Sequence, residues 1–166
     1  MNLYLSDVEI VDCAIQDIEM TTTSFKITSS TFVLTNTVLR NISYRIDADL
    51  IFANLDSSIV IDSSNFTDSG SSFLVSRNSN VTIDNLHAEN VEYRLAIIQI
   101  SQSDYIRMKK IRIVNVTINH QRVPIVAISS SNNIQISLLD VENINETILK
   151  IASSNIDNMD GLNIKN

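Results

Sequence analysis

One pattern returns seven times along the 166 residues and restricts the fold more than any other feature of the chain. In the segment SNVTIDNLHAENV, residues 79–91, the apolar residue Ile83 is preceded by Val81 and followed by Ala88, and Asn90 lies seven positions after it. The same template fits on six further anchors: Ile10, Leu34, Ile61, Met108, Ile136 and Met159. The anchors are 22 to 28 residues apart, and self-similarity at that period indicates a repeat architecture.

The position seven residues after each anchor is the most regular part of the repeat. It is always Asp or Asn, at Asp17, Asn41, Asp68, Asn90, Asn115, Asn143 and Asn166. Strand parity predicts that these side chains point inward together with Ala88 and its equivalents. Amides stacked at strand spacing form hydrogen-bonded ladders. Such a ladder supplies the hydrogen bonds without which a buried amide would destabilise the fold. We therefore predict an inward-facing ladder of Asn and Asp side chains.

Apolar and polar residues alternate within each unit, which indicates strands and excludes helices. A second apolar block precedes each anchor, with one residue between its members: Phe25/Ile27, Ile51/Ala53, Phe73/Val75, Ile98/Ile100, Val126/Ile128 and Leu149/Ile151. Three short strands per coil, with every coil winding in the same direction, predict an all-β, right-handed parallel β-helix of about six to seven coils. Each coil then buries its apolar side chains against the coils on either side. The template fails at Asp157, where Ile156 comes one place early, and at Ser69.

Composition limits the classes of partner. The net charge of −7 argues against nucleic acid and anionic membranes, which bind basic surfaces. No apolar run is long enough for a membrane span, and no signal peptide is present in this segment. With 2 Gly and 1 Pro, we expect Asn, Asp and Ser to make the turns. Cys13 is the one cysteine, so it is either a free thiol or bonded outside the segment.

The repeat units resemble a known family of folds. SNVTIDNLHAENV and SNNIQISLLDVENI, with the IxIS-type strand that precedes such units, resemble the right-handed parallel β-helix repeats of pectin-lyase-like proteins. Residues 63–69, SSNFTDS, are similar to the Ser-x-Phe-x-x-Asn unit of adhesin-like β-helices. The resemblance covers the whole chain and implies the fold, but this fold hosts lyases, hydrolases, adhesins and structural proteins.

Polysaccharide-cleaving members would need carboxylates on one sheet face. The predicted outward positions of the second-block strand contain no acid: Lys26, Phe52, Leu74, Gln99, Ala127 and Lys150. Asp56 and Asp104 lie two coils apart, which is too far for a catalytic pair. Residues 158–164, NMDGLNI, resemble the Asn-Thr-Asp-Gly-Ile segment of polygalacturonases, whose Asp is catalytic. The resemblance implies Asp160 as the matching acid, with Met159 in place of the family's Thr.

Other side chains are weaker candidates. Asp47, Asp49 and Asp56 either form a solvated acidic loop or bind a cation weakly. The two histidines, His87 and His120, are expected at the surface, and nothing in the sequence calls for a cofactor or a bound metal. Four aromatic residues are either sugar-stacking surfaces or scattered surface aromatics: Tyr44, Phe52, Tyr93 and Tyr105.

Five N-glycosylation sequons occur, at Asn41, Asn65, Asn80, Asn115 and Asn145, close to the number expected by chance in so Asn-rich a chain. Asn41 and Asn115 belong to the predicted inward ladder, so we expect no glycan there. The stretch after each Asn/Asp position varies most in length between repeats and is called the variable loop here. Asn65 is predicted to face outward, Asn80 to lie in a turn and Asn145 in the variable loop, and these three should carry glycans if the protein is secreted.

Taken together, the sequence predicts residues 1–166 to be one β-helix segment, uncapped at both ends and part of a longer solenoid. The favoured function is a non-catalytic structural or adhesive scaffold, extracellular or at the cell surface, glycosylated and part of a larger filament or surface protein. Its expected partners are flanking coils or a second copy, stacked end to end. The alternatives are a carbohydrate-binding module, or a segment of a polysaccharide hydrolase or lyase whose catalytic coils lie outside this chain.

Overall fold

The chain winds into a parallel β-solenoid of about six turns, as the repeat predicts. The computed structural model describes residues 2–4, 7–44, 49–70, 72–93, 96–118, 123–144 and 147–165. Every described strand pair is parallel, and the winding is consistent with a right-handed β-helix. A parallel connection of this kind is right-handed in nearly all proteins.

The second apolar block forms a seven-stranded sheet, called sheet A here. Its strands, in order across the sheet, are β1 (Asn2–Tyr4), β4 (Phe25–Thr28), β7 (Asp49–Asn54), β10 (Ser72–Arg77), β14 (Ile98–Ser101), β17 (Val126–Ser129) and β19 (Leu149–Ala152). A two-stranded sheet on the variable-loop side pairs β13 (Glu92–Tyr93) with β16 (Thr117–Ile118).

The anchor strands and the strands after them form sheet B. Its strands are β2 (Val8–Val11), β3 (Ala14–Met20), β5 (Thr31–Thr35), β6 (Val38–Tyr44), β8 (Ser58–Asp62), β9 (Asn65–Thr67), β11 (Asn80–Asp84), β12 (His87–Glu89), β15 (Ile106–Val114), β18 (Ile134–Glu142) and β20 (Ile156–Lys165). In the early coils a corner separates the two strands. In the later coils they merge into β15, β18 and β20, each of which contains one residue of positive φ at that corner: Lys110, Leu138 and Gly161.

The five anchors between the first and the last stack into the core as predicted. Leu34, Ile61, Ile83, Met108 and Ile136 are all buried and lie in register on neighbouring strands. Burial of each such aliphatic side chain stabilises the fold by roughly 1.5–3 kcal/mol. The irregularity at Asp157 is a β-bulge: Ile156 pairs with Ile134, and the register then shifts so that Asn158 pairs with Gln135.

The prediction for β10 is wrong by one residue. Leu74 pairs with Ile51 and Ile98, and Ser76 pairs with Ala53 and Ile100. The inward residues are therefore Leu74 and Ser76, and Val75 takes the outward position that was assigned to Leu74. Phe73 is also buried, with its ring centroid 5.1 Å from that of Phe66. The repeat predicts an apolar residue at this core position, and the position is occupied by Ser76.

The coils turn at residues with left-handed backbone. Positive φ occurs at three corners of the repeat, mostly on Asn, Asp and Ser, which tolerate this conformation because their short polar side chains bond locally. The residue that follows usually points inward. At Ser64 the hydroxyl donates to Asp62 O (2.9 Å) and accepts the N–H of Thr37 from the preceding coil (3.3 Å). Buried corner hydroxyls thus join neighbouring coils.

Candidate functional site

The Asn and Asp ladder is present, but it lies on the outside of the solenoid. Hydrogen bonds join Asn41 Nδ2 to Asp17 Oδ1 (2.7 Å), Asn90 Nδ2 to Asp68 Oδ1 (3.0 Å) and Asn115 Nδ2 to Asn90 Oδ1 (3.3 Å). Asn143 Nδ2 continues the row to Asn115 Oδ1 at 2.9 Å. All of these hydrogen bonds lie at the exposed surface, so the predicted inward orientation is wrong. Asn166, the last predicted member, lies outside the described residues.

Backbone conformation explains the outward orientation. The described ladder residues have φ between 50° and 57°, and a left-handed residue interrupts the alternation on which strand parity relies. The next residue then occupies the inward position, as Val91 does after Asn90. Ser69, which breaks the apolar pattern, is buried there: its hydroxyl donates to Thr67 O (2.8 Å) and accepts the N–H of Ile42 (3.2 Å).

The ladder has a direction. In each of its amide contacts, Nδ2 of the later coil donates to Oδ1 of the coil before it. A second row runs in the same direction at the corner that separates β2 from β3 and, one coil later, β5 from β6. There Asn36 Nδ2 donates to Asp12 Oδ1 (2.6 Å). Because Asp has no side-chain N–H, it cannot donate to the coil before it. A run of donors therefore begins at each Asp.

The structure separates the sequons into two kinds. Asn65, at the start of β9, faces outward as predicted. Asn80 is also exposed, but it is the first residue of β11 and does not lie in the predicted turn. Asn41 and Asn115 are also at the surface, but their Nδ2 atoms donate within the ladder. Asn145 lies outside the described residues.

Asp160 and His87 are not brought together. Asp160 lies on β20, exposed, in register with Ser137 on sheet B and not on sheet A. His87 Nε2 lies 3.2 Å from Glu89 Oε2 on the same strand, which makes a surface pair. His120 lies outside the described residues. No group of three or more His, Cys, Asp or Glu side chains suited to a metal occurs among the residues that the structure describes.

The two described members of the predicted acidic loop, Asp49 and Asp56, flank the two ends of β7. Asp56 lies at a corner and accepts Asn78 Nδ2 at 3.1 Å. Asp49 lies at the start of β7, where burial raises its pKa to about 6 and the positive charge of Arg77 partly offsets the rise. The guanidinium of Arg77 lies over the Phe52 ring, 5.9 Å from its centroid. Asp47 lies outside the described residues.

The three aromatic candidates whose side chains the structure describes do not form a sugar-stacking row. Tyr93 is buried, and its hydroxyl donates to Val123 O at 3.4 Å, so it is no surface platform. Tyr105 is exposed at the corner before β15, and Phe52 lies under Arg77 on the outer face of sheet A. Nothing is described of the Tyr44 side chain.

A groove lies on the outer face of sheet A at its C-terminal end. Gln99, Ala127 and Lys150, in adjacent strands, form its floor, and Val123 and Pro124 from the variable loop form one wall. Its volume is about 380 Å³. Three of these five residues were predicted to face outward. The wall was missed because loop residues follow no strand parity.

The last strand presents a second feature, called the end face here. On β20, Met159, Leu162 and Ile164 lie in register with the buried Ile136, Leu139 and Val141 of β18. Yet they are between 45% and 49% exposed, as is Ile156 at 46%. The end face is therefore a cross-section of the core with an open strand edge, which is a template for another strand.

Comparison of the chain with models of known protein families gave no match, and comparison with curated protein sequences gave none either. The described residues contain no helix of the length and apolarity needed to cross a membrane. The ladder, the groove and the end face are the surface features that bear on function.

Proposed function

We propose that the chain is a segment of a non-catalytic β-helix scaffold, extracellular and glycosylated, with a structural or adhesive role in a larger cell-surface or filament protein. The end face carries this proposal, since Met159, Leu162 and Ile164 continue the core rows of β18 in register yet stay exposed. A further β-helix coil supplies apolar side chains at the matching spacing. A stack of coils covered in this way is a rigid rod.

The resemblance to pectin-lyase-like and adhesin-like repeats supports a scaffold, and so does the outer surface. Part of it consists of side chains bonded to one another along the stack, such as Asn90, Asn115 and Asn143. These hydrogen bonds hold neighbouring coils in register. Asn65 and Asn80 stand exposed at the starts of β9 and β11.

Hydrogen exchange tests the proposal directly. In native material, the backbone amides along the free edge of β20 should exchange at least about tenfold more slowly than in the dilute 166-residue chain, because a covering coil would bond them. Mass spectrometry of the same material should find glycans on Asn65 and Asn80. Native protein that exchanges at β20 as fast as the isolated chain would contradict the scaffold proposal.

The groove favours a second candidate, a carbohydrate-binding module. Gln99 and Lys150 place an amide and an ammonium group beside the apolar Ala127 and Pro124, a mixture that suits the hydroxyls and the C–H faces of a sugar. Binding of an oligosaccharide panel should then fall at least about tenfold in Lys150→Ala. Lys26→Ala, at the equivalent outward position near the other end of sheet A, is the matched control. Equal binding by both variants would remove this candidate.

The polysaccharide hydrolase is the weakest alternative, since it rests on Asp160 and its local sequence. Its decisive observation would be loss of activity in Asp160→Asn within native, full-length material. A native protein that cleaves no polysaccharide would rule out the hydrolase and leave the scaffold and the carbohydrate-binding module as candidates.

A further inference from the structure

We infer that the outer corner of β15 is a docking surface for an acidic segment of a partner protein, one that carries an apolar side chain beside its carboxylates. The surface, called the basic corner here, consists of Arg107, Lys109, Lys110 and Arg112 of β15 together with Leu138 of the following coil. Described coils lie on both sides of it, with β11 and β12 before and β20 after. The inference goes beyond the proposed function and does not depend on it.

The positive charge of the basic corner contrasts with the acidity of the whole chain. The chain has 12 Lys and Arg residues and a net charge of −7, yet four of the 12 lie within six consecutive residues of β15, which contains no acid. Outward residues of one strand are about 6.6 Å apart, so the cations form a narrow band along β15. Such a band attracts an anionic chain of similar width.

Acids of neighbouring coils hold two of the four cations. Arg107 Nη2 lies 4.0 Å from Asp84 Oδ2, and Arg112 Nη2 lies 3.5 Å from Glu142 Oε2. These pairs are partly exposed and contribute little to stability, but they restrict the directions in which the two guanidinium groups point. The two lysines of the basic corner make no ion pair or side-chain hydrogen bond with the described part of the chain.

Lys110 interrupts a row of hydrogen-bonding side chains at this corner. In preceding coils, Asn36 Nδ2 donates to Asp12 Oδ1 and Asn85 Nδ2 donates to Ser63 Oγ at 3.3 Å. The row ends at Asn85, because the next two coils place a lysine and a leucine at the same position. All seven residues of the row have φ between 47° and 62°: Asp12, Asn36, Ser63, Asn85, Lys110, Leu138 and Gly161.

Lys110 and Leu138 reduce the stability of the chain at this corner. Left-handed backbone is unfavourable for residues other than Gly, Asn and Asp, and Leu138 is also 51% exposed. Its Cδ2 lies where an added Cβ on Gly161 would be only 3.0 Å away, so the glycine of the next coil leaves room for the exposed leucine. Residues that break local preference without an internal gain indicate a surface with a function.

A second exposed leucine lacks this context. Leu55 is 54% exposed and has a φ of 54°. Its neighbour Asp56 accepts a hydrogen bond from Asn78 of the next coil, so the polar row at that corner continues. Leu55 lies beside an acid and outside the basic corner, which makes it a matched control for Leu138.

A narrow acidic segment fits the basic corner better than a broad anionic surface does. A membrane would also meet the acids of the coils on either side and be repelled by them, whereas a segment one strand wide contacts the cations alone. The apolar contact offered by Leu138 favours a peptide over a sulfated polysaccharide. The flanking acids are Asp84, Glu89, Asp140 and Glu142.

Fluorescence anisotropy with a synthetic peptide tests the inference. The probe is a fluorescein-labelled peptide in which Glu alternates with Leu. Lys110→Asn should weaken its binding about three- to tenfold at low salt, and the loss should shrink at high salt because the contact is between charges. Leu138→Asn should weaken binding about three- to tenfold at every salt concentration, because the contact is apolar.

Two controls and a melting curve separate docking from folding. Lys26→Asn on sheet A and Leu55→Asn should both bind the peptide like wild type. In Lys110→Asn, the new side chain suits left-handed backbone and can donate to Asn85, so the melting temperature should rise by about 2–4 °C while binding falls. Leu138→Asn should melt within about 2 °C of wild type.

Several outcomes would overturn the inference. A wild-type chain that does not bind the peptide, or basic-corner variants that bind it like wild type, would do so, and so would a lower melting temperature of Lys110→Asn. Dextran sulfate or phosphatidylserine vesicles that bind more tightly than the peptide, with a loss in Lys110→Asn only, would assign the corner to a polysaccharide or a membrane. Self-association in sedimentation that Lys110→Asn abolishes would assign it to a second copy.

Discussion

Arg40 Nε donates to Asp68 Oδ2 across 3.1 Å, at the step of the ladder where the following coil presents a side chain with no N–H. Asp68 is exposed, so a single ion pair there contributes little on its own. The ion pair does, however, connect two parts of the ladder. The other oxygen of the same carboxylate accepts a hydrogen bond from Asn90 Nδ2, where the next run of amide donors begins. A break in the amide ladder is thereby bridged by charge.

The bridge makes stability depend on pH. The hydrogen bond from Asn90, followed by the hydrogen bond and charge of Arg40, holds the pKa of Asp68 below its ordinary value of 3.8. An acid whose pKa is lower in the folded state stabilises that state above the unfolded pKa, and the contribution is lost as pH falls through the folded value. We expect Asp68→Asn to reduce the fall in melting temperature below about pH 4. The exposed Asp157→Asn is the control, and an equal effect of both would contradict the assignment.

Ser76 should be destabilising where it stands. Its hydroxyl is buried at a core position and has no hydrogen-bond partner within the described part of the chain. Its register neighbours are Ala53 and Ile100. Ser76→Ala should raise the free energy of unfolding by about 1–2 kcal/mol, measured by denaturant titration.

Ser64 provides the matched control. It is equally buried, but its hydroxyl donates to Asp62 O and accepts the N–H of Thr37. Ser64→Ala should therefore lower the free energy of unfolding by about 1–3 kcal/mol, since it leaves a buried N–H unpaired. Changes of the same sign in the two variants would contradict this account of the corner hydroxyls.

Asn115 allows the backbone and the ladder to be separated. It combines positive φ with two ladder bonds, to Asn90 and from Asn143. Asn115→Gly should lower the free energy of unfolding by about 0.5–1 kcal/mol, because only the two ladder bonds are lost at this exposed site. Asn115→Ala should lower it by about 1 kcal/mol more, because alanine is strained in the left-handed conformation. Equal melting temperatures for the two variants would show that φ at this corner relaxes.

Much of the fold could be predicted because it depends on spacing. A solenoid stacks equivalent residues, so one repeat seen clearly, at Ile83 and Asn90, places the others, and even the misfit at Asp157 marks a real bulge. The errors arise where strand parity does not apply. Left-handed backbone at Asn90 turns its side chain outward, and the polar core residue Ser76 shifted the predicted register of β10.

The candidate surfaces were less predictable, because they depend on neighbours that lie far apart in sequence. The groove combines Lys150 with Pro124 of a variable loop, and a loop has no periodicity to place it. In contrast, the exposed position of Asn65 follows directly from the repeat.

Glycan occupancy tests both the ladder and the proposed secretion. In a chain produced through a secretory pathway, Asn65 and Asn80 should be glycosylated, because their side chains are exposed at strand starts. Asn115 should be bare or nearly so, since its Nδ2, the atom that would carry the sugar, donates to Asn90. Site-by-site mass spectrometry gives the answer, and a fully occupied Asn115 would show that the ladder forms late or weakly.

Gly161 should govern the order of the end face. Its φ is +62°, and an added Cβ would lie 3.0 Å from Leu138 Cδ2 and 3.1 Å from Leu138 N. Gly161→Ala should therefore cost about 1–2 kcal/mol from the left-handed backbone, with further displacement of Leu138. Since β20 packs on one side only, we expect this loss of stability to appear as faster hydrogen exchange of its amides, with little change elsewhere.

Gly70→Ala is the control, because nothing lies within 4 Å of its added Cβ. This variant should be neutral or stabilise the chain by up to about 1 kcal/mol. If both variants exchange like wild type at β20, the left-handed turn at Gly161 does not hold that strand in register, and the end face cannot depend on it.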